Sequence, residues 1–180
     1  MHMLFLILTV LGDDRPGLVE SLSDVIAAHE GNWLESRMAR LAGKFAGILR
    51  ASVPQPHADD LARALRALEA HGLRLIIEWS PSEEGRQDER WLRLELLGND
   101  RPGIIRDISR ALARRRVNID ELGTEYLSAP MSGEMLFKAI AHLRVPQEVA
   151  ILELQETLET IAHDLMVDII LEDISPKGPA

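Results

Sequence analysis

A seven-residue stretch, LGDDRPG at residues 11–17, returns almost unchanged as LGNDRPG at residues 97–103. Each copy follows an apolar run, residues 4–10 and 91–96, and precedes a run of helical periodicity, so each reads as a strand-to-helix loop. Asp14 and Asp100 have the side chain of a good helix N-cap. The proline two residues later is harmless, because the first N–H groups of a helix have no partner inside it. Gly17 and Gly103 then leave the first turn without a side chain. Such a loop exposes backbone donors at the positive end of a helix dipole, where the carboxylate of a small ligand can settle. The plainer alternative is that Asp-Arg-Pro-Gly is a sound way to begin a helix. That alone does not call for two copies.

The likeness continues past the loop. Asn32 corresponds to Asn118 and Glu35 to Glu121, 86 residues apart, the same separation as Gly12 from Gly98. Further on, Phe45 corresponds to Phe137 and Val53-Pro54 to Val145-Pro146, now 92 apart, so the second copy carries six extra residues in between. A repeat of this length is a domain and not a solenoid unit. The 180 residues are therefore expected to divide into a first domain at 1–79, a linker at 80–88, a second domain at 89–174 and a tail at 175–180. The linker expectation rests on SPSEEGRQD, which is polar and holds Pro81 and Gly85; the tail, SPKGPA, is expected to fray. Domains this small have thin cores, so they lean on each other or on a second chain, as in a homo-oligomer.

Within each copy the periodicities give the order β-α-β-β-α-β. Leu18, Val19, Leu22, Val25 and Ile26 recur at helical spacing up to about His29, and Gly31 follows. Residues 32–40 and 45–52 read as a hairpin around Gly43; a second helix at 58–71 places Leu61, Leu65 and Leu68 on one face; residues 73–79 form a last strand. The second copy repeats this with a strand at 89–97, a helix at 102–115 and a hairpin at 118–144, whose loop at 128–133 holds the extra residues. A helix at 147–163 and a strand at 165–172 complete it. Right-handed crossovers turn each unit into an α+β, ferredoxin-like βαββαβ sandwich of four antiparallel strands with both helices on one face. The second strand lies at an edge. Trp33 and Tyr126 fall in it, and an aromatic there either pairs with another module or packs inward.

Composition narrows the chemistry. The absence of cysteine excludes disulfides and thiolate catalysis. A net charge of −9 has the wrong sign for a dedicated nucleic-acid binder, so DNA contact is expected only through a partner. The apolar run at residues 3–11 is too short to span a membrane and has no basic flank or small-residue cleavage site, which points to a cytoplasmic protein. No phosphate loop, nucleophile elbow, HExxH or GxGxxG is present, and no catalytic residue, metal site or cofactor is expected. His29, His71 and His163 fall at predicted helix C-termini, where the dipole favours them, without a second ligand at metal spacing. Arg114, Arg115 and Arg116 form the one basic run and also suit a helix C-terminus. Arg15 and Arg101 either cover a pocket, pair across an interface or reach solvent.

The doubled strand, (D/N)DRPG turn, helix and Asn resembles the ACT domain, a small regulatory module. A bare tandem of two resembles the glycine cleavage system transcriptional repressor family, over residues 4–173. The resemblance implies that a small ligand, most often an amino acid, binds where two modules meet side by side. The loop before the first helix and the start of the second strand then line the pocket. Carried over, this points to Gly12, Asp13, Asp14, Pro16 and Gly17 with Asn32 in the first unit. In the second it points to Gly98, Asn99, Asp100, Pro102 and Gly103 with Asn118. Backbone N–H groups and an Asn amide hold a carboxylate, and Asp takes an ammonium. The two pockets need not be alike, since Asp13 has become Asn99 and the longer second hairpin reshapes one wall. ACT modules also occur fused to enzymes, but two modules occupy this whole sequence. The expectation is a non-enzymatic regulator that senses a small amino acid, glycine first, and modulates a transcription factor, by resemblance a LysR-type activator. The alternatives are an interaction module without a ligand and a sensor serving another pathway.

Overall fold

The alternation of apolar and polar residues closes two separate sheets, one in each copy of the repeat. The computed structural model describes residues 2–80, 89–129 and 133–174. The chain divides into two compact units, Met1–Gly85 and Arg86–Ala180. Of the expected linker, Ser80 closes the last strand of the first unit, and 81–88 lie outside the described residues, as does the expected tail at 175–180.

The first unit consists of β1 (Met3–Asp13), α1 (Leu18–Ala28), β2 (Asn32–Leu41), β3 (Lys44–Pro54), α2 (Ala58–Ala67) and β4 (Leu73–Ser80). The second repeats it as β5 (Glu89–Asn99), α3 (Ile104–Arg114), β6 (Asn118–Ser128), β7 (Met135–Pro146), α4 (Ile151–Leu165) and β8 (Val167–Ile174). The sheet orders are β2-β3-β1-β4 and β6-β7-β5-β8, every neighbouring pair antiparallel. This is the ferredoxin-like βαββαβ arrangement twice over.

Period-two alternation sends Leu6, Leu8 and Val10 of β1 to one face, where they bury against Leu22 and Ile26 of α1 and Leu61 and Leu65 of α2. Leu92, Leu94 and Leu96 of β5 do the same against Ile108 and Leu112 of α3 and Leu154 and Leu158 of α4. The opposite face is mixed: Ile48, Ile76 and Ile170 are exposed on it, and the second sheet adds a charged cluster. Arg93 reaches Glu95 at 2.6 Å and Glu172 at 3.3 Å, and Lys138 reaches Glu95 at 3.4 Å. The hydrogen bond from Arg93 holds the Glu95 carboxyl below its ordinary pKa. In the first unit Arg50 lies over the Phe5 ring at 5.0 Å.

The strand register of one unit is repeated in the other position by position. Gly12 stands opposite Phe45 and Leu73, and Gly98 stands opposite Phe137 and Val167. The β2 bulge between Trp33 and Glu35 recurs in β6 between Ile119 and Glu121. The first hairpin closes in a two-residue turn, Ala42-Gly43, with φ of 48° and 78°, the backbone that right-twisted strands favour. The second hairpin adds the pair Ser128 and Met135 before turning, so the six extra residues are 129–134.

Several expectations change. Strands β1 and β5 run two residues further than the apolar pattern suggests, so Gly12, Asp13, Gly98 and Asn99 belong to the sheets and the loops shrink to residues 14–16 and 100–102. Helix α4 begins at Ile151 instead of residue 147, because the Val149 N–H donates to the Pro146 carbonyl at 3.0 Å and forms a separate turn first. Trp33 packs inward against the first core, while Tyr126 is exposed and meets Phe137 edge-on at 5.9 Å between centroids.

Candidate functional site

The loop after β1 is anchored by its backbone. The Asp14 N–H donates to the Gly43 carbonyl at 2.9 Å, tying the loop to the hairpin turn beside it. The N-cap of α1 is Gly17, with φ of 87°, and that of α3 is Gly103, with φ of 98°; neither helix has a side-chain cap hydrogen bond. This corrects the assignment of Asp14 and Asp100 as N-caps. With the capping role three residues later, their carboxylates lie too far back to reach the first free N–H groups of the helix. Gly17 and Gly103 are required for their left-handed backbone and not merely for a bare first turn.

The charged side chains of the first loop turn to the sheet instead. Asp14 pairs with Arg40 Nε at 2.7 Å, Asp13 pairs with Lys44, and the Arg15 guanidinium donates to the His71 carbonyl. The Lys44 ammonium, first by its hydrogen bond and then by its charge, holds the Asp13 carboxyl below its ordinary value of 3.8. Gly12 is a packing glycine: a Cβ there would stand 2.8 Å from Leu73 Cδ2 and 3.2 Å from the Gly72 carbonyl. At Gly98 a Cβ would stand 2.5 Å from Val167 Cγ1 and 2.9 Å from its Cα.

At this end of the first sheet lies a cavity of about 330 Å³ lined by Leu11, Gly12, Asp13, Lys44, Gly72 and Arg74. That is near the lower end of small-ligand pockets, which run from roughly 300 Å³ upward. The end of β1 supplies Asp13, the start of β3 supplies Lys44 and the start of β4 supplies Arg74. Lys44 pairs with Asp13 through one of its three donors, whereas Arg74 makes no hydrogen bond or ion pair to any of the described residues. Gly72 ends the 3₁₀ turn after α2 with φ of 84° and leaves the wall without a side chain. Gly12 and Asp13 were legible from the repeated motif. Lys44, Gly72 and Arg74 were not, because they stand about 30 to 60 positions away along the chain and only the register Asp13 to Lys44 and Leu11 to Arg74 brings them in.

The remaining candidates are distributed unevenly. Asp14, Pro16 and Gly17 stand beside this cavity without lining it. Asn32 stands opposite Ser52, which stands opposite Phe5, seven residues from Gly12 along β1. At about 3.3 Å per residue that separation is roughly 23 Å. In the second unit Asn118 stands opposite Arg144, which stands opposite Trp91, again seven residues from Gly98. Within a single unit, therefore, no small ligand touches both the loop and the Asn.

A larger cavity, about 690 Å³, lies between α3 and α4 and is lined by Ala111, Arg114, Arg115, Thr157, Thr160 and Ile161. Part of the basic run is used here: Arg115 donates to Thr157 Oγ1 at 2.7 Å and to Glu153 at 3.2 Å. Among the described residues no His, Asp and Glu cluster could hold a metal ion, and no described helix is long and apolar enough to cross a membrane.

Residues 4–79, which make up the first unit, match the ACT domain family. The second unit repeats its fold strand for strand, and the chain is a tandem of two ACT-type units. The chain is similar to an unknown protein of Galdieria sulphuraria, with 29% identity and a TM-score of 0.86 over 97% of this chain and 100% of that one. It shares the fold of a candidate glycine cleavage system transcriptional repressor, with 18% identity and a TM-score of 0.70 over 97% and 99% of the two chains. No curated protein matches it.

Proposed function

We propose that this protein is a regulator that binds a small amino acid at the loop end of its first sheet and passes the signal to a protein partner. The observation that carries the reading is the cavity in which one carboxylate, Asp13, stands beside two cations, Lys44 and Arg74. An α-amino acid presents the complementary pair, an ammonium for the carboxylate and a carboxylate for the cations. The ACT fold of the first unit supports a regulatory role. Glycine is the first ligand to test, because both the family resemblance and the name of the structurally similar repressor point to glycine cleavage. A LysR-type activator is the first partner to test, and a chain of net charge −9 is expected to reach DNA through such a partner rather than alone.

Thermal unfolding with and without amino acids tests the reading. A ligand at a hundredfold excess over Kd stabilises the folded state by about 2.7 kcal/mol. At about 2–4 °C per kcal/mol for a chain of this size, the midpoint rises by roughly 5–10 °C. Glycine is expected to give such a rise. If none of the common amino acids moves the midpoint, sensing is refuted and the units serve only to bind a partner.

A further inference from the structure

The two repeats present opposite charge at the ends of their sheets that correspond. Register pairs each position of one unit with one of the other. Arg40, opposite Phe45, corresponds to Tyr126, opposite Phe137. Lys44, opposite Asp13, corresponds to Leu136, opposite Asn99. Arg74, opposite Leu11, corresponds to Asp168, opposite Leu97. The loop residues Asp14 and Arg15 correspond to Asp100 and Arg101 through the repeated motif itself. At these corresponding positions, with Asp13 against Asn99, the first unit carries four cations and two carboxylates and the second carries one cation and two carboxylates. The wall changes as well. Gly72, at the left-handed residue that leads into β4, corresponds to Met166, at the left-handed residue that leads into β8, with φ of 84° and 53°. A methionine side chain therefore stands where the first unit has none.

Resting on the amino-acid reading above, we infer that the two units are functionally unequal: the chain binds one small carboxylate ligand, at the first unit, with its carboxylate on Arg74 and Lys44. The second unit is a non-binding copy. Arg74 leads this contact, since it has no partner among the described residues, while Arg40 and Arg15 are held by Asp14 and the His71 carbonyl; Lys44, paired with Asp13 through one donor, joins it with another. A guanidinium suits a carboxylate in charge and in its two-pronged geometry. At the same register position in the second unit, Asp168 would repel that carboxylate, and Leu136 offers it no hydrogen bond.

Isothermal titration calorimetry and equilibrium dialysis on the full chain test this, with glycine first and then alanine, serine and aspartate. The expected result is one bound amino acid per chain. Arg74→Asp, which installs the residue of the second unit, is expected to weaken binding at least about tenfold, the scale of one charge-assisted hydrogen bond. The amide of the bound amino acid, glycinamide in the case of glycine, is expected not to compete. Two equivalents per chain, unchanged affinity in Arg74→Asp, or competition by the amide each overturn the inference while leaving amino-acid sensing in place. If none of these four binds, the titration is extended to the remaining common amino acids, and no binding of any of them to wild type removes the sensing reading and the inference with it. Arg74 is exposed, so the fold is expected to survive the change; should circular dichroism show otherwise, Lys44→Leu is used and the same weakening is required of it.

Discussion

The repeated glycines at the ends of β1 and β5 can be tested as packing residues, and Gly98→Ala is the sharper case. The added methyl would stand 2.5 Å from Val167 Cγ1 and 2.9 Å from Val167 Cα. Comfortable carbon contacts are about 3.5–4.0 Å, so the overlap is about 1 Å. Valine is stiff at χ1 and cannot swing clear, and relief at Cα requires the first residue of β8 to move away from β5 at the last pair of their ladder. Overpacking of this kind costs about 1–3 kcal/mol, and the loss of glycine's freedom in the unfolded chain returns about 0.4–1 kcal/mol. The net expectation is a destabilisation of about 1–2 kcal/mol, read from the midpoint of urea unfolding at unchanged m. Gly12→Ala is expected to cost less, since its nearest obstacle is the terminal Cδ2 of Leu73 at 2.8 Å. Gly123→Ala, where a Cβ meets nothing within 4 Å, is expected to be neutral or slightly stabilising. Val167→Ala removes the Cγ1 contact, so the double variant with Gly98→Ala is expected to be more stable than the sum of the two single changes. A Gly98→Ala protein as stable as wild type, or a Gly123→Ala protein destabilised as much, would refute the packing account.

Two further outcomes follow from the first unit alone. Asp13 titrates below 3.8 because of Lys44, so its ion pair stabilises the fold above that pH and the contribution is lost as pH falls through the lowered value; in Lys44→Leu, carboxyl NMR titration is expected to find Asp13 back near 3.8, and an unchanged titration refutes the pairing. Ala42 holds φ of 48° in the two-residue turn, a conformation that costs a side-chain-bearing residue about 1–2 kcal/mol, so Ala42→Asn is expected to raise stability by about 0.5–1 kcal/mol, and a fall in the urea midpoint would count against the turn geometry.

What the chain could declare by itself is local or periodic. The doubled LG(D/N)DRPG motif announced two like units, the apolar runs before it announced the first strand of each, and spacing of 3.6 residues put Leu22, Ile26, Leu61 and Leu65 on the buried faces of their helices. These signals need no knowledge of where the rest of the chain goes. Capping was misread because Asp14 has a capping side chain but the backbone enters the helix at Gly17, and only the left-handed turn reveals the offset. The candidate site was half legible for a different reason. Gly12 and Asp13 lie within the motif, whereas Lys44 and Arg74 join them through ladder pairing across β3 and β4, and Asn32 is carried to the far end of the same sheet by α1. Register depends on turn length and on which face packs against the helices, so it is decided by the assembled sheet. The same cause separates the two units. Their motifs differ by one residue, Asp13 against Asn99, but closing the sheets places Lys44 and Arg74 at one end and Leu136 and Asp168 at the other, giving two near-identical loops opposite surroundings.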